Sequence, residues 1–398
     1  TLNLSAQTPW VDEMLKKDAN FSAIKQAFDL EWDGKQYVKG KGWKQYQRWQ
    51  SFWETRLLPD GSFPDFKDAF HDYQLYMSAN GQAKSLQNAG NWSPMGPFTY
   101  NNTDSWSPGL GRVNFIVEDP NNANIIYIGA PAGGVWKSTD AGTTWTPLGD
   151  DLAVMGVSSI AISAANSNVL YLATGDADGG DTYSIGVLKS TDGGLTWAEV
   201  GNVGGNLRDI VIDPADEDIV YVASNGGVYK TIDGGTNWNQ LLAGSYRDLE
   251  LKPGTASTIY AATSDEVRYS TNSGATWTLS TGFPGGSSRI GLAVTPANNS
   301  YVYILLADGA GDYGGIYRST NSGVSFSPRN TNTDVFEGST QSWYDMAIGA
   351  SATNADVIFT GVLNVWRSTN GGSSLSQLNS WSNPGGASYT HADIHFLR

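Results

Sequence analysis

The chain reads Gly134-Val135-Trp136-Lys137-Ser138-Thr139-Asp140-Ala141-Gly142-Thr143-Thr144-Trp145 where a repeated pattern is first complete. The same order of Ser or Thr, Asp or Asn, Gly and a large apolar residue returns five more times. The Asp or Asn positions are Asp140, Asp192, Asp233, Asn272, Asn321 and Asn370. They lie 39 to 52 residues apart, and a period of about 40 to 50 residues is typical of a four-stranded propeller blade.

The remainder of each repeat supplies the other strands of a blade. In one copy, Asp209-Ile210-Val211-Ile212 precedes a turn, and Ile219-Val220-Tyr221-Val222-Ala223 follows it. A Gly-Gly turn, a strand into the repeated motif and a last strand complete the unit. We therefore predict a mainly β fold, a six- to seven-bladed β-propeller of four-stranded blades over residues 91–398, with a small N-terminal α-helical segment in front.

The repeated motif predicts a tight turn between the third and fourth strands of a blade. Its Asp accepts hydrogen bonds from backbone N–H groups of the turn, and Gly supplies a positive φ. Asn at three copies keeps the acceptor oxygen. We therefore assign all six Asp and Asn positions to structure.

Residues 1–90 predict helices and a linker. Phe21, Ile24, Phe28 and Trp32 keep helical spacing, and two further aromatic stripes follow it. Such stripes are typical of a core-facing surface, and we expect the helices to pack on the propeller. The alternative is an aromatic platform for carbohydrate.

The number of blades is left open. Trp92-Ser93-Pro94-Met95-Gly96 reads like the outer strand of a final blade, and residues 391–398 read like its innermost strand. The two middle strands of that blade have no counterpart. This pattern predicts an incomplete last blade and a longer mature protein.

Composition excludes several functions. A net charge of −15 repels phosphate backbones, so we expect no nucleic-acid partner. The chain has no cysteine, which excludes thiolate catalysis and Cys-ligated zinc. No apolar run reaches the length of a membrane span.

The pattern Ser-x-Asp-x-Gly-x-Thr-Trp resembles the Asp-box (BNR) repeat of sialidases, sortilin-type propellers, xyloglucanase-like glycosidases and photosystem assembly factors. The sequence around these motifs is most similar to that of sortilin-type proteins that Bacteroidetes-like bacteria export through the type IX secretion system. The residues behind this resemblance are Asn91 to Pro97, Leu110 to Val113, Thr174 to Asp176 and Asp181 to Leu188. It implies a secreted or cell-surface protein that meets the secretion machinery during export.

Charged residues recur where the innermost strands begin, and propeller ligands usually bind in the channel those strands surround. The predicted channel residues are Arg112, Arg208, Arg247, Arg289, Tyr344, Asp345, His391 and His395. The alternative is that the arginines pair with neighbouring aspartates, such as Asp209 and Asp248, and hold the blades in register.

The sequence also contains two candidate metal sites. Asp176, Asp178 and Asp181 offer three carboxylates at a spacing typical of calcium sites, so calcium is the candidate cofactor. A solvated acidic loop is the alternative. His391, Asp393 and His395 alternate, so on a strand they would share one face and suit a transition metal or acid–base chemistry.

We interpret the chain as a binding or adhesion scaffold for a glycan or protein ligand at the propeller face. The alternative is a glycoside hydrolase that cleaves polysaccharide or sialoglycan, with Asp345 and Asp393 as its candidate catalytic carboxylates. Two missing sequence motifs argue against the hydrolase alternative. The Arg-Ile-Pro motif of sialidases and the Asp-Val-Gly-Gly opening of xyloglucanase-like enzymes, which use two propellers, are both missing.

Overall fold

The structure is a computed structural model and describes residues 9–14, 19–37, 42–64, 66–80, 111–150, 152, 154–180, 182–201, 203–383, 386 and 388–397. The chain divides into two compact units, Thr1–Gly90 and Asn91–Arg398. No helix among the described residues has the length and apolar character needed to cross a bilayer.

The first unit is helical, as the aromatic stripes predict. Its helices are α1 (Pro9–Met14), α2 (Phe21–Trp32), α3 (Trp43–Trp53) and α4 (Phe66–Asn80). The Asn20 side chain caps α2 by accepting from the Ser22 N–H at 2.9 Å. The Phe28 and Tyr46 rings stack with centroids 3.5 Å apart, so aromatic contacts between α2 and α3 form the centre of this unit.

The second unit holds six four-stranded antiparallel sheets among the described residues. Blades one to three contain β1 (Phe115–Asp119), β2 (Asn122–Ala130), β3 (Gly134–Ser138), β4 (Thr146–Pro147), β5 (Val157–Ile162), β6 (Leu170–Thr174), β7 (Val187–Ser190), β8 (Ala198–Glu199), β9 (Leu207–Asp213), β10 (Asp216–Ser224), β11 (Gly227–Thr231) and β12 (Asn239–Ala243). Blades four to six contain β13 (Asp248–Leu251), β14 (Ile259–Ala262), β15 (Val267–Ser270), β16 (Thr278–Leu279), β17 (Arg289–Val294), β18 (Val302–Ala307), β19 (Tyr313–Ser319), β20 (Ser327–Asn330), β21 (Ala347–Ala350), β22 (Ile358–Gly361), β23 (Val365–Ser368) and β24 (Ser376–Gln377).

Each sheet is a meander, in which consecutive strands are hydrogen-bonded neighbours. The first strand of each blade contacts the first strand of the next, from β1 through β5, β9, β13 and β17 to β21. The predicted propeller is therefore confirmed, with six blades in the part of the chain that the structure describes.

The core lies between successive blades. Buried residues of blades two and three form one cluster, and similar clusters join blades three to four, four to five, and five to six. A buried tyrosine on the second strand recurs at the boundaries between blades, including that between blades one and two. Tyr127 of blade one donates to the Gly193 carbonyl of blade two at 3.1 Å, and Tyr303 of blade five donates to the Ala355 carbonyl of blade six at 2.8 Å.

The repeated motif forms the same hydrogen-bonded turn in all six blades. Asp140 accepts from the Thr144 N–H and the Ser138 hydroxyl, both at 2.8 Å, and Ser138 accepts from the Gly142 N–H at 2.8 Å. Where Asn replaces Asp, its oxygen keeps both bonds. The Asn272 oxygen accepts from the Thr276 N–H at 2.9 Å, and its amide nitrogen donates to the Thr276 hydroxyl.

The C-terminal segment differs from the predicted innermost strand. No strand is assigned to residues 388–397, and Asp393 has a φ of 75°, which breaks the alternation expected of a strand. The Ile394 N–H donates to the Val362 carbonyl at 2.8 Å, and the Phe396 ring lies 4.1 Å from that of Phe115. The segment therefore contacts both blade six and blade one. The proposed outer strand at 92–96 lies outside the described residues.

Candidate functional site

A loop after β6 brings two carboxylates into the channel. Asp176 and Asp178 lie on this loop, and Gly175 and Gly180 adopt positive φ values of 112° and 70°. Gly179 has no room for a side chain, because a Cβ there would lie 2.8 Å from Arg112 Nη1 and 2.9 Å from an Asp176 oxygen. Glycine therefore allows the loop to approach the charged groups closely.

Arg112 links this loop to the segment before blade six. Its guanidinium forms an ion pair with Asp176 and donates to the Tyr344 hydroxyl at 2.6 Å. The second Asp176 oxygen accepts from the Asn114 amide at 3.1 Å. The same oxygen accepts from the Asp178 N–H at 3.3 Å, so both Asp176 oxygens are hydrogen-bonded.

Asp178 lies between two arginines and a histidine. One oxygen is 2.9 Å from Arg247 Nη2 and 3.1 Å from Arg289 Nη2, and the other is 3.0 Å from His395 Nδ1. Burial alone would raise the pKa of the Asp178 carboxyl, but Arg289, His395 and Arg247 together hold the pKa well below its usual range. Asp178 is therefore an ionised group at the centre of the cluster.

The other two carboxyls share one donor. The Gln341 side-chain nitrogen lies 2.9 Å from an Asp345 oxygen and 2.7 Å from an Asp393 oxygen. Asp345 is buried at 0% exposure, whereas the Asp393 side chain is 32% exposed. Burial raises the pKa of Asp345 to about 7; the Gln341 hydrogen bond and Arg289 oppose the rise, and the Asp393 charge adds to it. The pair therefore combines a buried carboxyl that is protonated below about pH 7 with a carboxylate open to solvent.

Seven of the eight predicted channel residues belong to this connected cluster or its border. Arg112, Arg247, Arg289, Tyr344, Asp345 and His395 interact as described, and Arg208 borders them. His391 is the exception, because its side chain is 51% exposed and faces Asp393 at 3.8 Å.

The predicted metal sites are not assembled in the part of the chain that the structure describes. No group of three His, Asp or Glu side chains there is placed to hold a metal ion. Asp176 and Asp178 bind arginines, and Asp181 lies outside the described residues. His391, Asp393 and His395 do not lie on the strand assumed for a shared face, because Asp393 has a φ of 75°; His391 is exposed and His395 is buried.

Sequence reasoning missed Gln341 and Asn114. Gln341 begins a short 3₁₀ helix, Gln341–Trp343, in the loop between blades five and six, and an amide in a loop carries no periodic signal. Asn114 directly precedes β1, and its side chain donates to the Val157 carbonyl and to Asp176. Its position two residues after Arg112 was the available signal.

No family model matches the chain. Among curated proteins, it is similar to a xyloglucanase from a Paenibacillus species, with 28% identity over 180 residues, 41% of this chain and 17% of the relative. It is also similar to xyloglucanase Xgh74A from Acetivibrio thermocellus, with 29% identity over 150 residues, 33% of this chain and 18% of the relative. The matched region therefore spans under a fifth of the length of either relative.

Solved structures share the propeller fold. A GH74 enzyme from Niastella koreensis has a TM-score of 0.52 and 23% identity, over 68% of this chain and 46% of that one. An ancestral GH74 enzyme has a TM-score of 0.55 and 19% identity, over 74% of this chain and 44% of that one.

These relatives correct the functional interpretation. We expected a binding or adhesion scaffold, with sortilin-type proteins as the most similar group. The curated relatives named above are xyloglucanases. The scaffold interpretation is therefore wrong, the alternative of a glycoside hydrolase is the better one, and these relatives give the sortilin resemblance no support.

Proposed function

We propose that this protein is a glycoside hydrolase that cleaves a polysaccharide of the xyloglucan class. The observation that carries the proposal is the sequence similarity to xyloglucanases from two bacteria. Because such polysaccharides lie outside cells, the proposal includes a secreted or cell-surface location.

One carboxyl of the pair supports this chemistry. Glycoside hydrolysis uses carboxyl groups that reach the glycosidic bond, as proton donor, proton acceptor or nucleophile. Asp393 is the group that can meet a glycosidic oxygen or an attacking water, since its side chain is partly exposed. Asp345 is fully buried, so we assign it as a positioning residue that acts on Asp393 through Gln341.

The backbone at Asp393 adds a second supporting feature. Its φ of 75° is uncommon for a residue other than glycine, although Asp tolerates this region better than most. Backbone strain of this kind clusters at functional sites. The strained conformation places the Asp393 oxygen 2.7 Å from Gln341.

An exposed aromatic residue follows Gln341 by two positions in the chain. Trp343 is 61% exposed, and it ends the 3₁₀ helix that begins at Gln341. A flat indole surface suits the apolar C–H face of a sugar ring, and its contact area is large. In this proposal Trp343 holds a sugar unit next to Asp393.

The test is release of reducing ends from xyloglucan, mixed-linkage β-glucan, xylan and arabinan by the full chain. We expect Asp393→Asn to lower kcat on the cleaved substrate by about 100-fold or more, as loss of an acid–base group does. We expect Trp343→Ala mainly to raise KM, because it removes a contact to the sugar. Asp150→Asn, at an exposed position outside the site, is the matched control and should leave both constants unchanged.

Two outcomes would contradict the proposal. One is the absence of reducing-end release from every polysaccharide by protein whose circular dichroism shows a folded β structure. The other is equal activity of the Asp393→Asn and Asp150→Asn variants, which would move the chemistry away from this pair.

A further inference from the structure

One short turn of blade six contacts the segment that carries Asp393. This turn, residues 362–364, joins β22 to β23. Its Val362 carbonyl accepts from the Ile394 N–H at 2.8 Å, and Ile394 directly follows Asp393 in the chain. Ile394 also packs on the end of β22, where a Cβ at Gly361 would collide with it. Blade six therefore holds the chain on the C-terminal side of Asp393.

The same turn binds the loop that carries Gln341. The Asn364 side-chain nitrogen donates to Glu337 Oε1 at 2.7 Å, and the Trp366 indole N–H, on β23, donates to the same oxygen at 3.2 Å. Asn364 is buried, at 1% exposure, whereas Glu337 is exposed. Because Glu337 lies four residues before Gln341, its carboxylate attaches the start of this loop to blade six.

The backbone at Glu337 is strained, as it is at Asp393. Its φ of 57° is a left-handed value that Glu adopts rarely. Asp334 holds the local turn, because one of its oxygens accepts from the Phe336 N–H and the other from the Gly338 N–H, both at 2.8 Å. Phe336 is fully buried. Strained conformations persist only where the surrounding structure enforces them, and here that structure fixes the residue whose carboxylate meets blade six.

These contacts close a circuit around the candidate site. The Gln341 side chain donates to Asp393 at 2.7 Å, and the turn at 362–364 is bonded to both chain segments that carry these residues. Two attachments to one turn limit how far the Gln341 amide can move from Asp393. Catalytic groups need to be held within about 0.5 Å of their working positions, so this circuit is the kind of support that an acid–base group needs.

We propose that Glu337 is a positioning residue, which sets the distance between Gln341 and Asp393. It does so by accepting from Asn364 and Trp366. Without its carboxylate, the buried Asn364 amide loses this acceptor, and an unpaired buried donor is costly, so the turn has to shift or admit water. The effect on catalysis rests on the proposed function, whereas the attachment of both segments to the turn does not.

The first arm of the test is hydrogen exchange, measured on three variants of the full chain. Glu337→Ala removes the acceptor, Glu337→Gln keeps an acceptor oxygen, and Glu199→Ala is the matched control at an exposed position on β8. We expect Glu337→Ala to speed exchange of the Ile394 amide by about tenfold, because its bond to Val362 opens more often. The other two variants should exchange like the unchanged protein.

The second arm is kinetic and uses the polysaccharide that the unchanged chain cleaves. Glu337→Ala should lower kcat by about tenfold and change KM by less than about twofold, because it misplaces the acid–base group without removing a sugar contact. Glu337→Gln should restore most of the lost kcat. A residue with a structural role alone would lower the urea midpoint and leave kcat per folded molecule unchanged.

The two arms separate this inference from the proposed function. Faster Ile394 exchange and a kcat loss that Glu337→Gln restores would support the inference. Unchanged exchange in Glu337→Ala would overturn it, whether or not the chain cleaves a polysaccharide. Equal kcat for Glu337→Ala and Glu199→Ala, in a chain that does release reducing ends, would overturn it as well. If the folded, unchanged chain releases none, the proposed function fails, and the exchange arm alone decides whether Glu337 holds the two segments together.

Discussion

At the scale of single residues, Asp345 determines how the site responds to pH. Its pKa of about 7 reflects burial first, opposed by the Gln341 bond and Arg289 and reinforced by Asp393. The folded state thus holds a proton more tightly than the unfolded chain, in which an Asp titrates near pH 4. Its contribution to stability is fully present below about pH 4 and is lost as pH rises to about 7.

This linkage predicts a difference between Asp345→Asn and the unchanged protein. The variant has no ionisable group at this position, so its urea midpoint should fall less than that of the unchanged protein as the pH rises from 5 to 8. Its activity should also lack the fall above about pH 7 that we expect when Asp345 ionises beside Asp393. Urea unfolding and pH–rate profiles check both statements, and Asp150→Asn is the control. Parallel profiles for both variants would contradict the role of Asp345.

At the scale of elements, the repeated turn allows a direct test of backbone strain. The position after the Asp or Asn is Gly in three copies, with φ near 70°. In the other three copies it is Ala141, Ser273 or Ser322, with φ of 56° to 58°. A side chain is disfavoured there by roughly 1–2 kcal/mol, although glycine also increases the entropy of the unfolded chain.

We therefore expect Ala141→Gly and Ser273→Gly each to stabilise the propeller by about 0.5–1 kcal/mol in urea unfolding. Ala275→Gly is the matched control within a turn of the same type, because Ala275 is not among the residues with positive φ. That control should destabilise. Loss of stability in all three variants would show that the turn imposes no strain.

The same elements show what the sequence could predict. The turn was predictable because Ser138, Asp140 and Gly142 bond to one another within five residues. The tyrosines of the second strands were missed, since the partner of Tyr127 is 66 positions away, on the next blade. The arginine partners were missed for a related reason. Which carboxylate faces Arg247 depends on the path of the Asp178 loop, and no local spacing encodes that path.

At the scale of the whole propeller, the C-terminal segment joins the last blade to the first two. The Ile394 N–H donates to blade six, the Phe396 ring packs on Phe115 at the start of β1 in blade one, and His395 binds Asp178 of blade two. The sequence indicated that residues 391–398 belong near the axis. It did not indicate an irregular segment, because only tertiary contacts override the strand-like alternation of His391, Asp393 and His395.

Those contacts predict that Phe396→Ala loosens the propeller locally. An aromatic pair contributes about 0.5–1.5 kcal/mol beyond its buried area, so a double-mutant cycle of Phe115→Ala and Phe396→Ala should give a coupling energy of about 1 kcal/mol. Hydrogen exchange should speed up in β1 and β21, on both sides of the segment, and less so in β13.

Phe283→Ala, which removes a ring 5.6 Å from Phe326, is the control and should affect blades four and five instead. Equal exchange in β1 for the two variants, or additive energies in the cycle, would show that Phe396 does not connect the blades.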